Sequence, residues 1–236
     1  MVKSRIFDNF IQIAGIQDEA EAQLLQQCGV RYLGFPLRLS VHQADLAEEE
    51  AAQIIQRLQP PCYGVLVTYL AEAGEIVSFC RALGAKIVQL HGDIGHEELR
   101  KVKILDPGLT IIKSLVVGLH PHDALMVMTR ELARVVDAFI TDTFDPTTGA
   151  AGATGKTHDW SISRQLVELS ERPVILAGGL TPENVQQAIQ EVRPAGVDAH
   201  TGVEDTTGRK SREKVEKFVR EATLGFRALA GERRLI

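Results

Sequence analysis

The chain has 236 residues, 44% of them apolar, which is enough to build one sizeable core. A net charge of −5, with the basic residues dispersed, gives neither a nucleic-acid footprint nor a polybasic membrane patch. Three widely separated cysteines, Cys28, Cys62 and Cys80, exclude a disulfide framework and suggest a reducing, cytoplasmic setting, while Met1 to Asn9 lacks the apolar run of a signal peptide and no segment is long enough to span a membrane.

Strand-like and helix-like segments alternate along the sequence. Phe10 to Ile16 reads as a strand and Asp18 to Gln27 as its helix. Tyr32 to Leu37 precedes a helix from Gln43 to Leu58, and Cys62 to Thr68 precedes one from Ala71 to Leu83. Ile87 to Gly92 is followed by a helix from His96 to Leu105, and Leu109 to Val117 by one from Asp123 to Val135. The sixth strand, Ala138 to Thr143, leads through a Gly/Thr-rich loop to a helix beginning near Asp159. Pro173 to Gly179 is the seventh strand; Thr181 as N-cap, Pro182 and Asn184 open the helix after it. Val197 to Thr201 is the eighth strand, and a helix from Ser211 to Leu229 closes the chain, with the tail from Gly231 expected to fray.

Eight strand-then-helix units demand a parallel sheet covered by helices. The expected fold is α/β, a (β/α)8 TIM barrel forming a single domain over residues 1–236. An open doubly wound sheet is the rival, but the G-x-G-x-x-G fingerprint after the first strand is missing.

In such a barrel the chemistry sits at the C-terminal strand ends, where alternate residues point inward. That places Gln12 with Ala14, Gln89 with His91, Lys113 with Leu115, Ile140 with Asp142, and Asp198 with His200. Polar groups in otherwise apolar strands cost several kcal/mol unless paired, so a shared ligand pocket is the economical explanation. Asp142 suits a general acid or base, or a cap for loop amides; His200 suits proton transfer near neutral pH, or a bond to a loop carbonyl. His91 reads as a binding residue or as packing at a His-Gly turn. His120 and His122 have the spacing of a metal pair but lie past the fifth strand, so no metal site is assigned.

Three strand-to-helix junctions read as a phosphate cradle, because unpaired N–H groups and the helix dipole favour an anion there. They comprise Gly152, Thr154 and Gly155, then Gly178 and Gly179, then Thr201 and Gly202. The first resembles a nucleotide P-loop, G-x-x-x-x-G-K-[ST], but the first required glycine falls on Ala150, so ATP hydrolysis is not expected.

Taken in order, several motifs resemble the phosphoribosylanthranilate isomerase family. They are Gln12-Ile13-Ala14-Gly15, Tyr32 to Phe35, Val88 to Gly92, Asp142, Gly152 to Trp160, Ala177 to Val185, and Val197-Asp198 with Thr201 to Glu204. The resemblance spans almost the whole chain and implies an Amadori rearrangement: an acid opens a ribosyl ring to an iminium, and a base removes the proton at sugar C2. It implies Asp142 as the acid. The family's base is a strand-one cysteine, where this chain has Ala14, and a histidine, His200, stands beside Gly-Val-Glu where the family has small hydroxyl residues. Asp142 and His200 are therefore expected as the acid–base pair, with Gln12, Arg38, His91 and Asp198 binding substrate. Arg38 occupies a strand-two loop that aligns poorly with the family.

The implied partner is a phosphorylated small molecule, with no cofactor, nucleic acid or membrane, and either a monomer or a homodimer. A diverged sugar-phosphate lyase or epimerase and a non-catalytic phosphometabolite-binding barrel are the competing readings.

Overall fold

The computed structural model describes residues 5–39, 44–145, 150–151 and 157–232. Parallel strands β1 (Phe10–Ala14), β2 (Tyr32–Pro36), β3 (Tyr63–Thr68), β4 (Ile87–Leu90), β5 (Thr110–Val117), β6 (Ala138–Asp145), β8 (Val174–Leu176) and β9 (Gly196–Ala199) pair in that order, and β1 also pairs with β9, closing the barrel. A two-residue strand, β7 (Ala150–Ala151), runs antiparallel to the end of β6. Helices α1 (Glu19–Gln27), α2 (Glu48–Arg57), α3 (Ala73–Leu83), α4 (His96–Leu105), α5 (His122–Leu132), α6 (Trp160–Leu169), α7 (Val185–Val192) and α8 (Arg212–Glu232) form the outer ring.

Alternation along the strands divides the core in two. Phe10, Tyr32, Val65, Ile87, Ile112, Ala138, Ile140, Ile175 and Ala177 fill the barrel interior, joined by Phe7 from a 3-10 turn at Arg5–Phe7 that closes the bottom. Residues of opposite phase, such as Ile13, Leu33, Leu66, Leu115 and Phe139, pack outward under the helices.

Boundaries differ from expectation where local chemistry overrides pattern. Helix α1 begins after Asp18, whose carboxylate accepts from the Glu21 N–H at 2.9 Å. Helix α7 begins at Val185 rather than beside Thr181, because Thr181 to Asn184 form a turn in which Asn184 accepts from the Thr181 N–H and donates to the Gly179 carbonyl. Strand β9 ends at Ala199, so His200 does not continue the strand beside Asp198; it turns with φ −123° and ψ −85°. Helix α8 persists to Glu232, past the glycine at 231 where fraying was expected.

One strand has the opposite phase to that expected. Lys113 pairs with outward-facing Phe139 and Ser114 with inward-facing Ile140, so the interior face of β5 is Ile112, Ser114 and Val116. Strand β5 is apolar on both faces apart from Thr110, Lys113 and Ser114, and its sequence gives no phase signal. Lys113 is buried against the helices, donates to the Ser114 carbonyl at 2.8 Å, and has its pKa pushed down to about 8 by burial.

Candidate active site

The inward-facing residues of β1, β4, β5, β6 and β9 converge at the C-terminal mouth. Gln12, wholly buried, donates from Nε2 to Gln89 Oε1 at 3.0 Å. Its own Oε1 and Asp198 Oδ1 are buried with no hydrogen-bond partner among the described residues. Gln12 and Asp198 are register partners across β1 and β9, so both acceptors belong to one layer of the barrel.

Asp142 lies above Ile140 on the inner face of β6 and accepts from the Thr143 N–H at 2.8 Å. Its carboxyl pKa is raised, first by burial, with the nearby His91 and the Thr143 N–H opposing. Asp198 is pushed up to about 7, again first by burial and then by the charge of Asp142; Gln12 and Lys210 pull the other way. Two carboxyls that repel cannot both ionise readily, so this layer holds a proton near neutrality.

His91 is buried, with Nδ1 2.9 Å from Ser114 Oγ and its ring 5.0 Å from that of Tyr69. Tyr69, in the loop after β3, has its phenol pushed up to about 12 by burial and by Asp142. Tyr69 and Ser114 were not anticipated from sequence: Tyr69 lies beyond its strand, and Ser114 was hidden by the phase of β5.

His200 reaches the mouth from the turn after β9. A Cβ on Gly15 would stand 2.0 Å from His200 Nε2, so the imidazole lies directly on the Gly15 backbone, next to Ala14 at the end of β1. Only a glycine permits this approach, and its φ of +80° suits the same residue. Glu204 Oε1 is 3.5 Å from Nε2.

The expected phosphate residues divide. Gly152, Thr154 and Gly155 lie outside the described residues. The segments that carry Gly178 and Gly179, and Thr201 and Gly202, are neighbours: a Cβ on Gly202 would stand 1.9 Å from the Leu180 carbonyl oxygen, so the 3-10 turn η2 (Thr201–Val203) packs on the segment after β8. Beneath Gly178, Thr143 Oγ1 lies 2.9 Å from His158 Nδ1, and His158 Nε2 lies 2.6 Å from Ser163 Oγ.

Arg38 stands apart from this cluster. Its guanidinium is bidentate to Glu48 at 2.8 and 3.0 Å and sits 3.7 Å over the Phe79 ring, between α2 and α3.

The family model for N-(5'-phosphoribosyl)anthranilate (PRA) isomerase matches residues 11–221. The N-(5'-phosphoribosyl)anthranilate isomerase 2 of Methanosarcina mazei is 40% identical over 218 residues, covering 92% of this chain and 95% of that protein. Among solved structures, the phosphoribosyl anthranilate isomerase of Thermotoga maritima is 28% identical with a TM-score of 0.77, covering 91% of this chain and 98% of that one. A second phosphoribosyl anthranilate isomerase, solved in complex with reduced 1-(o-carboxyphenylamino)-1-deoxyribulose 5-phosphate, is 26% identical with a TM-score of 0.75 over 91% of this chain and 98% of its own.

Proposed function

Because the chain belongs to the phosphoribosylanthranilate isomerase family, we propose that it performs that family's aldose–ketose isomerisation, a step of tryptophan biosynthesis in the cytoplasm, with Asp142 as acid and His200 as base. The observation that carries this reading is the seat of His200. Its imidazole rests on Gly15 beside Ala14, the position at which family resemblance expects a basic cysteine, so the base is supplied from the turn after β9 instead of from β1.

In the first step Asp142 gives its proton to the ribosyl ring oxygen, the C1–O bond breaks, and the nitrogen lone pair forms the iminium. Burial favours the proton-bearing carboxyl required for that role. His200 then takes the C2 proton, and the C–H electron pair becomes the C1=C2 bond of an enolamine, which tautomerises to the aminoketose. The imidazolium's surplus proton returns to Asp142 through solvent. Gln12 Oε1 and Asp198 Oδ1, buried acceptors with no described partner, suit substrate hydroxyls. The phosphate is assigned to Gly178, Gly179, Thr201 and Gly202; Gly152, Thr154 and Gly155, expected for the same role from sequence, lie outside the described residues. That a family member was solved with a phosphate-bearing analogue supports a phosphorylated substrate.

The test is turnover of phosphoribosylanthranilate. His200→Ala and Asp142→Asn should each lower kcat by about 10²- to 10⁴-fold. Undiminished turnover in His200→Ala would remove His200 as base. The engagement of Arg38 with Glu48 favours a second reading, in which related proton chemistry serves a phosphosugar with another substituent. Inertness toward phosphoribosylanthranilate, together with activity on another phosphosugar, would select it.

A further inference from the structure

The loop from His200 to Lys210 is tied to itself by one ammonium group. Lys210, whose side chain has no exposed surface, donates from Nζ to Glu204 Oε1 at 2.6 Å and to the His200 carbonyl at 3.2 Å. A buried ammonium requires a partner carboxylate, and the contact with Lys210 holds Glu204 in place. The backbone reinforces the tie: Glu204 and Lys210 form an antiparallel bridge, the Ser211 N–H donates to the Val203 carbonyl at 2.9 Å, and the Lys210 N–H donates to buried Glu21 of α1 at 2.9 Å. Both ends of the His200–Glu204 turn are thus fixed, and Glu204 Oε1 faces His200 Nε2 at 3.5 Å.

We propose that Glu204 is a positioning residue for His200, holding the imidazole proton on Nε2 so that Nδ1 carries the lone pair that receives the C2 proton. This rests on the reading of His200 as base. When Nδ1 takes the proton, the C2–H pair forms the C1=C2 bond and the iminium π pair returns to nitrogen. The resulting imidazolium donates from Nε2 to Glu204. The separation of 3.5 Å in the ligand-free protein is of the kind that tightens as charge develops. Among the described residues, the charged groups near the imidazole include Glu204 and Lys210 from its own loop and Asp198 two residues earlier on β9; Glu21 of α1 and its partner Arg209 stand behind Lys210, and the ring faces the uncharged Gly15 just after β1.

Glu204→Gln tests this, because it removes the charge while keeping an oxygen for Lys210. The His200 imidazole is followed by NMR titration in the full chain labelled at histidine, its resonance assigned by loss in His200→Ala. Without the carboxylate the imidazolium is less stable, so the His200 midpoint falls, the acidic limb of the kcat/KM profile moves to lower pH, and plateau kcat/KM falls at least about tenfold. Glu204→Asp, which keeps the charge, should restore most of the midpoint. In a His200→Ala background Glu204→Gln should cost nothing more. An unchanged midpoint and profile in Glu204→Gln would overturn the inference while leaving His200 as base; retained turnover in His200→Ala would overturn the base reading instead, with the titration still reporting on the Glu204 contact.

Discussion

A carboxyl such as that of Asp198 ties stability to pH. Its ordinary value near 3.8 is pushed up to about 7 by burial and by Asp142. Between these values the folded chain binds a proton that the unfolded chain releases, so folding stability falls as pH rises through the window and the whole cost is present above it. Asp198→Asn imitates the protonated form. In the ligand-free protein it should raise Tm at pH 8 by several degrees and lose that advantage below about pH 4, as followed by thermal melts across pH. An equal shift at both extremes would mean that Asp198 is not the titrating group. The same substitution should weaken substrate binding, since Asp198 Oδ1 is a buried acceptor without a described partner. Stability and function then pull against each other at one atom.

At the scale of elements, His158 fastens the start of α6 to the end of β6. It lies between Thr143 of β6 and Ser163 of α6, and burial pushes its pKa down to about 4 from an ordinary value of 6.5. The unfolded chain binds a proton there before the folded chain does, so this contact's stabilisation is lost as pH falls from about 6.5 through 4. His158→Asn should be less stable than the parent at pH 7 and should show a shallower decline of Tm between pH 6.5 and 4. Parallel Tm curves for the two proteins would refute the link. This fastening was not visible in sequence, because nothing in the run before Trp160 distinguishes a buried histidine from a loop histidine. The repeat of strands and helices was visible, since short apolar runs that alternate with segments of 3.6-residue period mark successive strand-helix units even where both faces of the strand are buried. Asp142 was legible too: a carboxylate at the end of an apolar strand signals its inward face. The outward turn of Lys113 and the route of His200 were not legible. The first needs the phase of a strand apolar on both sides, and the second depends on a backbone turn set by tertiary contacts, the packing of η2 on the Leu180 carbonyl and the tie to Lys210.

Over the whole molecule, the barrel separates the layer that holds it together from the layer that acts. At the bottom Phe10 is wholly buried, stacked on Tyr32 at 3.9 Å between centroids and 5.7 Å from Phe7, and the Tyr32 hydroxyl donates to the Ile6 carbonyl at 2.8 Å. Phe10 pairs with Gly196 of β9, one layer below the Gln12 and Asp198 pair assigned to substrate. Toward the mouth the interior changes from aromatic to amide and carboxyl, with orphaned acceptors that lower stability until a ligand meets them. Phe10→Ala should therefore cost about 3–5 kcal/mol, about 6–20 °C in Tm for a chain of this size, and leave kcat/KM at 25 °C within about twofold of the parent while the protein stays folded. Asp142→Asn should do the reverse, lowering turnover steeply while leaving Tm unchanged or raised at pH 8. Melts and steady-state kinetics on the two variants decide the matter: a Phe10→Ala protein that is folded yet impaired in kcat/KM would show that the floor shapes the site, and the division between layers would fail.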